Sequence, residues 1–209
     1  MNWERHLNLK GKHALLGASN YSWINYESDE QLLRKFCSYY STDIGTLLHE
    51  FAADRIKFGL RLTKSEKKSA LCHLLKRGIP RSVINKLDFD MIFDNLMSYV
   101  NDSIGFHMEP EVILYYSDNC FGTADAIAFD EKILRIHDLK TGVTPAHMEQ
   151  LLIYSALFCL DNRIKPKDIS YELRIYQGNE AVIYNPEPNE VLEYSEQIVR
   201  ANKFIENIK

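Results

Sequence analysis

The chain has no closely spaced cysteines: Cys37, Cys72, Cys120 and Cys159 lie far apart, and no C-x-x-C pair occurs. That spacing argues against structural zinc and against an iron–sulfur cluster, and disulfides are not expected in a reducing compartment. No G-x-x-x-x-G-K phosphate loop is present, which excludes a nucleotide-driven motor of that type. No apolar run approaches the roughly 20 residues that cross a bilayer. The opening Met1–His6 lacks an apolar core, so a secretory signal and a membrane partner are not expected, and a cytoplasmic location is. Repeats and low-complexity linkers are also missing, as expected for a single domain spanning residues 1–209.

Lys and Arg are absent over a long stretch. From Leu87 to Asp130 there are nine Asp/Glu residues and no Lys or Arg. Just before it, the segment from Arg55 to Lys86 holds ten Lys/Arg and one acid, Glu66, a local charge of +9 inside a chain of net charge −4. A basic block suits a phosphate backbone and an acidic block suits divalent cations. The plain alternative is a solvated helical face followed by scattered surface acids.

With 45% hydrophobic and 26% charged residues, 209 residues suffice for a real core. Residues 1–104 read as mainly helical. Leu32, Leu33 and Phe36 form a short apolar stripe, and Ile44, Leu47, Leu48, Phe51, Ala52 and Ile56 a longer one at helical period. Ser41-Thr42-Asp43 offers N-caps for the second helix, and Gly59 its end. Further helices are predicted over Lys64–Lys76 and Arg81–Val100. Strands are predicted over Glu111–Ser117, Phe121–Phe129 and Ile133–Lys140, rich in branched and aromatic residues. Gly142 and Pro145 are expected to open a helix running to Leu160. Strands Ile169–Gln177 and Glu180–Tyr184 follow, joined through Gly178-Asn179, and then a closing helix over Glu190–Ile208. The order helix–three strands–helix–strand predicts an α/β fold with a mixed sheet, preceded by a helical N-terminal region.

The chemistry concentrates between Gly122 and Tyr154. Gly122-Thr-Ala-Asp125 ends in an acid, and Asp138-Leu-Lys-Thr-Gly142 carries an acid and a lysine two residues apart. Alternation puts Asp138 and Lys140 on one strand face with Leu134 and Ile136, and it groups Asp125 with Ile127 and Phe129. Charges at the end of a buried face must be paired, protonated or metal-bound. A lone Asp-x-Lys is more often a structural ion pair. Gln150 and Tyr154 stand at i and i+4 on one helix face, and His49 lies beside the apolar stripe of its own helix.

As a set, these residues resemble the PD-(D/E)XK nuclease superfamily, in its RecB-type branch, which includes CRISPR-adaptation nucleases and is related to lambda-type exonucleases. The likeness covers roughly residues 42–160 and is closest to phage and prophage exonuclease-like proteins. It implies a restriction-endonuclease-like core. His49 matches the branch's helix histidine, Asp125 its Gly-x-x-Asp acid, Asp138 and Lys140 its D/E-x-K pair, and Gln150 and Tyr154 its Q-x-x-x-Y helix. Glu111 falls where the branch often carries a further acid. Ala124 stands in place of the superfamily's proline, as is usual in the branch.

The resemblance implies a Mg²⁺- or Mn²⁺-dependent deoxyribonuclease, with Asp125, Asp138, Lys140, Gln150 and Tyr154 as catalytic residues. His49, Asp125, Asp138, the Leu139 carbonyl and Glu111 are the implied metal ligands. The DNA backbone would be tracked without sequence reading by Arg55, Lys57, Arg61, Lys64, Lys67, Lys68, Lys76, Arg77, Arg81 and Lys86. An exonuclease acting in phage recombination or repair is the leading expectation, in a bacterial host cytoplasm, with a single-strand annealing protein and further copies of itself as partners. The residues leave open a structure-specific endonuclease, an inactive DNA- or partner-binding protein on the same fold, and a structural protein with a coincidental Asp-x-Lys.

Overall fold

The computed structural model describes residues 6–11, 14–142, 144–178 and 180–209. Among these residues seven α-helices and five strands follow in the order α1 (Asp29–Tyr39), α2 (Ser41–Lys57), α3 (Lys67–Lys76), α4 (Arg81–Ile84), α5 (Phe89–Gly105), β1 (Glu109–Ser117), β2 (Cys120–Asp130), β3 (Ile133–Leu139), α6 (Glu149–Asn162), β4 (Ser170–Gln177), β5 (Glu180–Tyr184) and α7 (Pro188–Ile208). The sheet order is β1-β2-β3-β4-β5, with neighbours antiparallel except for the parallel pair β3–β4. A parallel pair needs a long crossover, which α6 supplies. The chain is thus α/β with a five-stranded mixed sheet. Among the described residues no helix is long and apolar enough to cross a membrane.

Two apolar clusters clamp the sheet. On one face α2, α3 and α5 bury Leu48, Phe51, Leu74, Phe93 and Leu96 against Ala126, Leu139 and Tyr176. On the other, α6 and α7 bury Leu151, Ala156, Leu157 and Val191 against Leu114, Leu134, Ile136 and Leu173. The predicted stripe of α2 is this buried face, and Gly59, at φ +63°, ends the helix with a left-handed turn. Polar locks fix the depth of α5. Asp102 accepts from Arg174 at 3.0 Å and from the Tyr176 hydroxyl at 2.8 Å, while Arg135 and Arg174 both stack on Phe106.

Several helix boundaries differ from expectation, each for a local reason. Helix α2 starts without a side-chain cap, because Tyr40 occupies the N-cap position and Ser41, already helical, donates its Oγ–H to the Ser38 carbonyl at 2.7 Å. The capping box sits one helix earlier, where Ser28 and Gln31 satisfy each other's backbone N–H groups at the start of α1. The expected helix over Lys64–Lys76 opens as a 3-10 turn, Lys64–Glu66, under Thr63. The expected helix Arg81–Val100 is two helices, since Asp88 accepts from Met91 N–H and begins α5 afresh. Pro145 lies before α6, not in its first turn. Gln177 holds that segment out of the helix, donating to the carbonyls of Gly142 (2.7 Å) and Thr144 (2.8 Å) and accepting from Ala146 N–H (2.9 Å). Asn179, half of the expected β4–β5 turn, lies outside the described residues.

Candidate functional site

Strands β2 and β3 pair only from Ala126↔His137 to Asp130↔Ile133. Past that point they part, and a side chain occupies the gap: Asp125 Oδ2 accepts the Leu139 N–H at 3.0 Å. The same oxygen lies 3.4 Å from His49 Nδ1, which α2 brings over the sheet. The splay also disturbs alternation. Gly122 faces Tyr154 and Ala124 packs with the α6 cluster, while Ala126 belongs to the α2 cluster and Ile127 again to that of α6. Asp125 therefore does not share a face with Ile127 and Phe129, as a regular strand requires; it looks towards α2.

Glu111 stands opposite Asp125 in the antiparallel register between Pro110↔Ala126 and Val112↔Ala124. Its φ is +55°, a left-handed conformation inside a strand. For a residue with a Cβ that costs about 1–3 kcal/mol and tends to persist at functional sites. The result is a convergence: one donor atom each from His49, Glu111 and Asp125 lies within 4.8 Å of the others. Burial, then the Asp125 charge, raises the Glu111 pKa, with His49 opposing. Burial pulls the His49 pKa down but is outweighed by its hydrogen bond to Asp125 and the charges of Asp125, Asp138 and Glu111, so the imidazole is more basic than usual. Three groups that shift one another in this way fit a hard divalent cation, with the imidazole suiting Mn²⁺.

Asp138 is placed differently from the expected ligand set. It is not among that triplet, and it faces α6, as alternation predicts. Its carboxylate is 2% exposed. Lys140 Nζ donates to Asp138 Oδ1 at 2.9 Å and to Gln150 Oε1 at 3.0 Å, and Gln150 Nε2 donates to the Tyr154 hydroxyl at 3.0 Å. The four side chains thus form one chain from the sheet to α6. Asp138 Oδ2 is buried and has no hydrogen-bond partner among the described residues. Burial first, then the Asp125 charge, lifts the Asp138 pKa to about 6, with Lys140 and His49 opposing. A buried carboxylate oxygen left unpaired beside a second acid is costly unless a proton or a cation completes it. Leu139, whose carbonyl was the remaining expected ligand, joins the two halves through its backbone.

A cleft of about 730 Å³ opens on the His49 side, lined by Gly45, Thr46, Glu50, Asp54, Glu111, Thr123 and Asp125 among others. Glu50, Asp54 and Thr123 carry no signal in the sequence beyond polarity, although Thr123 lies within Gly122-Thr-Ala-Asp125. Of the ten expected backbone contacts, Arg77 pairs with Glu50 at 3.0 Å, Lys67 with Asp90, and Arg55 lies 4.8 Å over the Phe51 ring. Lys57, Arg61, Lys64, Lys68, Lys76, Arg81 and Lys86 are exposed between the end of α2 and the start of α5. Buried His137 plays no part: burial, then Arg174 and Arg135, depress its pKa to about 3.

Gly122 explains itself by close approach. A Cβ there would meet Tyr154 Cε1 at 2.8 Å. Gly122→Ala is expected to push the Tyr154 ring aside and break its bond to Gln150, while the helical layer on α2 is untouched. Circular dichroism should stay native, and any activity of the site should fall on the order of tenfold, about the worth of one hydrogen bond. An unchanged rate in a folded variant would show that Tyr154 takes no part.

The molecule is, then, an α/β protein whose acids, histidine and lysine converge where two central strands part. Residues 13–202 match the family described as protein of unknown function (DUF2800), and the chain belongs to that family. No curated protein and no solved structure matches the chain.

Proposed function

We propose that the protein is a metal-dependent DNA nuclease of the PD-(D/E)XK type, with a restriction-endonuclease-like core formed by α2, β1–β3, α6 and β4. One observation carries the reading: Asp125 and Asp138 approach the splay of β2 and β3 from opposite faces, and Asp138 keeps a buried oxygen with no hydrogen-bond partner among the described residues. A mere structural ion pair does not account for that oxygen, since Lys140 already engages its partner.

His49, Glu111 and Asp125 are the residues that would hold Mg²⁺ or Mn²⁺, and Asp138, reaching in from the α6 face, would complete the set through its free oxygen. A cation bound there supplies charge that offsets the carboxylates, acidifies a water and polarises a phosphodiester. The chain's own groups do the rest. Lys140 presents a fixed positive charge where negative charge gathers on the phosphate oxygens. Gln150 holds the Lys140 ammonium, and Tyr154 holds Gln150, so the charge is preorganised by α6. The exposed basic side chains from Lys57 to Lys86 suit sequence-independent phosphate contacts.

Incubation with linear duplex and closed circular plasmid, each with Mg²⁺, Mn²⁺ or EDTA, tests this directly. Loss of the linear form alone, dependent on cation, is the expected result for an enzyme acting at ends. Nicked circles would replace the exonuclease reading by an endonuclease. Intact DNA with both cations would overturn the nuclease reading.

A further inference from the structure

The sheet face that carries Glu111 and Asp125 does not stop at the cleft. Val112, Leu114 and Tyr116 of β1 pack with the α6 cluster, so the intervening residues of β1 look the other way. In the antiparallel register Ile113 pairs with Thr123, and Tyr115 with Phe121. Thr123 lines the cleft beside Asp125, and the next pair outward is Tyr115–Phe121. These two rings stack, with centroids 6.5 Å apart and planes 27° from parallel, yet they are 46% and 62% exposed. Aromatic rings stacked on each other and left in water, in line with a cluster of acids, are unusual for a face whose job is only packing.

The cleft itself is lined by the acids Glu50, Asp54, Glu111 and Asp125, and what differs is the surface beyond each side of it. Neither β1 nor β2 contains a Lys or Arg. On the α2–α3 side, Arg77 sits on the cleft residue Glu50, and the adjoining cleft, which shares Asp54, is lined by Arg55 and Lys76. A duplex presents phosphates along both flanks and hides its bases. A single strand presents phosphates on one edge and bases on the other, which matches basic side chains beyond the α2–α3 side of the cleft and exposed rings beyond its β1–β2 side.

We infer that the cleft takes its nucleic acid as a single strand, with bases stacked on Tyr115 and Phe121 and phosphates along Arg55, Lys76 and Arg77. This deepens the nuclease reading and rests on it for the chemistry, not for the binding. The strand would run along β2 from the hairpin end towards Asp125.

The test is fluorescence anisotropy in EDTA, which stops cutting, with three labelled probes: oligothymidylate of about a dozen nucleotides, within the range of single-strand site sizes, an abasic strand of equal length, and a blunt duplex. Tyr115→Ala and Phe121→Ala are expected to weaken oligothymidylate binding on the order of tenfold per ring. Binding of the abasic strand and the duplex should stay within about twofold, and Phe121→Trp should bind like wild type. Unchanged oligothymidylate binding overturns the inference, as does an equal loss on all three probes. A wild-type dimer that the double variant dissociates, with oligothymidylate binding unchanged, would assign the face to self-association instead. Parallel digestions keep the two readings apart: ring-dependent binding without cation-dependent cutting retains the platform and sinks the nuclease, and cutting with ring-independent binding does the reverse.

Discussion

Asp138→Asn should yield a protein that, on the nuclease reading proposed above, cuts no DNA, yet that melts at a higher temperature than the wild type. Asparagine keeps the shape and can still accept from Lys140 Nζ, so the chain to Gln150 and Tyr154 is preserved. What goes is a buried negative charge. A carboxyl whose folded pKa is raised from 3.8 to about 6 favours folding less and less as pH climbs between those values. Below 3.8 it is protonated in both states and costs nothing; above about 6 the full penalty applies. Two units correspond to about 3 kcal/mol, which for a chain of this length is on the order of 5–10 °C. The gain of the variant should therefore be largest in EDTA at pH 8 and shrink as pH falls through 6. Activity should fall at least on the order of 10²–10³-fold. A folded Asp138→Asn that cuts as well as wild type would remove Asp138 from the mechanism.

The same experiment separates a working site from a structural pair. If Asp138 existed only to hold Lys140, removing its charge would lower stability wherever the carboxyl is ionised. A site poised for a cation behaves in the opposite sense, because it carries unbalanced negative charge that the fold tolerates for function. Adding Mn²⁺ should raise the melting temperature of the wild type and raise that of the variant much less.

How much of this could be read before folding depends on the range of the interaction. Local signals were legible: the apolar period of α2, the branched strands β1 to β3, and the Asp138/Lys140 pair, which alternation alone puts on one face. The i, i+4 relation of Gln150 and Tyr154 likewise became a hydrogen bond. Where a contact outside the segment decided the outcome, the pattern misled. Pro145 looked like a helix opener until Gln177, 32 residues on, took the backbone groups around it. Asp125 seemed to belong with Ile127 because a regular strand says so, and only the parting of β3 from β2 turns it to His49. The left-handed turn at Glu111 has no signal at all, since glutamate is not a residue that favours it. The exposed Tyr115–Phe121 pair was hidden inside ordinary strand composition, and only its register and its open face set it apart.

Replacing Lys140 by methionine should be nearly as damaging as replacing Asp138, and it should leave a signature in pH. Methionine fills the space of the stem but offers no donor, so both Asp138 Oδ1 and Gln150 Oε1 lose the ammonium that now joins them at 2.9 and 3.0 Å. Two effects follow. The first is loss of a preorganised positive charge at the phosphate, on the order of 10²–10³-fold in kcat with KM little changed. The second acts through Asp138. Lys140 is a main influence holding that carboxyl down against burial and the Asp125 charge, so without it the pKa must climb beyond about 6. Residual cutting that needs Asp138 ionised should then have its acidic limb shifted to higher pH, and a rise from pH 7 to 9 should recover more activity in the variant than in wild type. Gln150→Ala provides the contrast: it frees the ammonium without removing it, and should cost on the order of tenfold with the limb nearly in place. A lysine that only braces the strand would give a slower enzyme with an unmoved profile. That result, or wild-type rates in Lys140→Met, would disprove the assigned role, because a charge acting on both the phosphate and Asp138 cannot be removed without moving both.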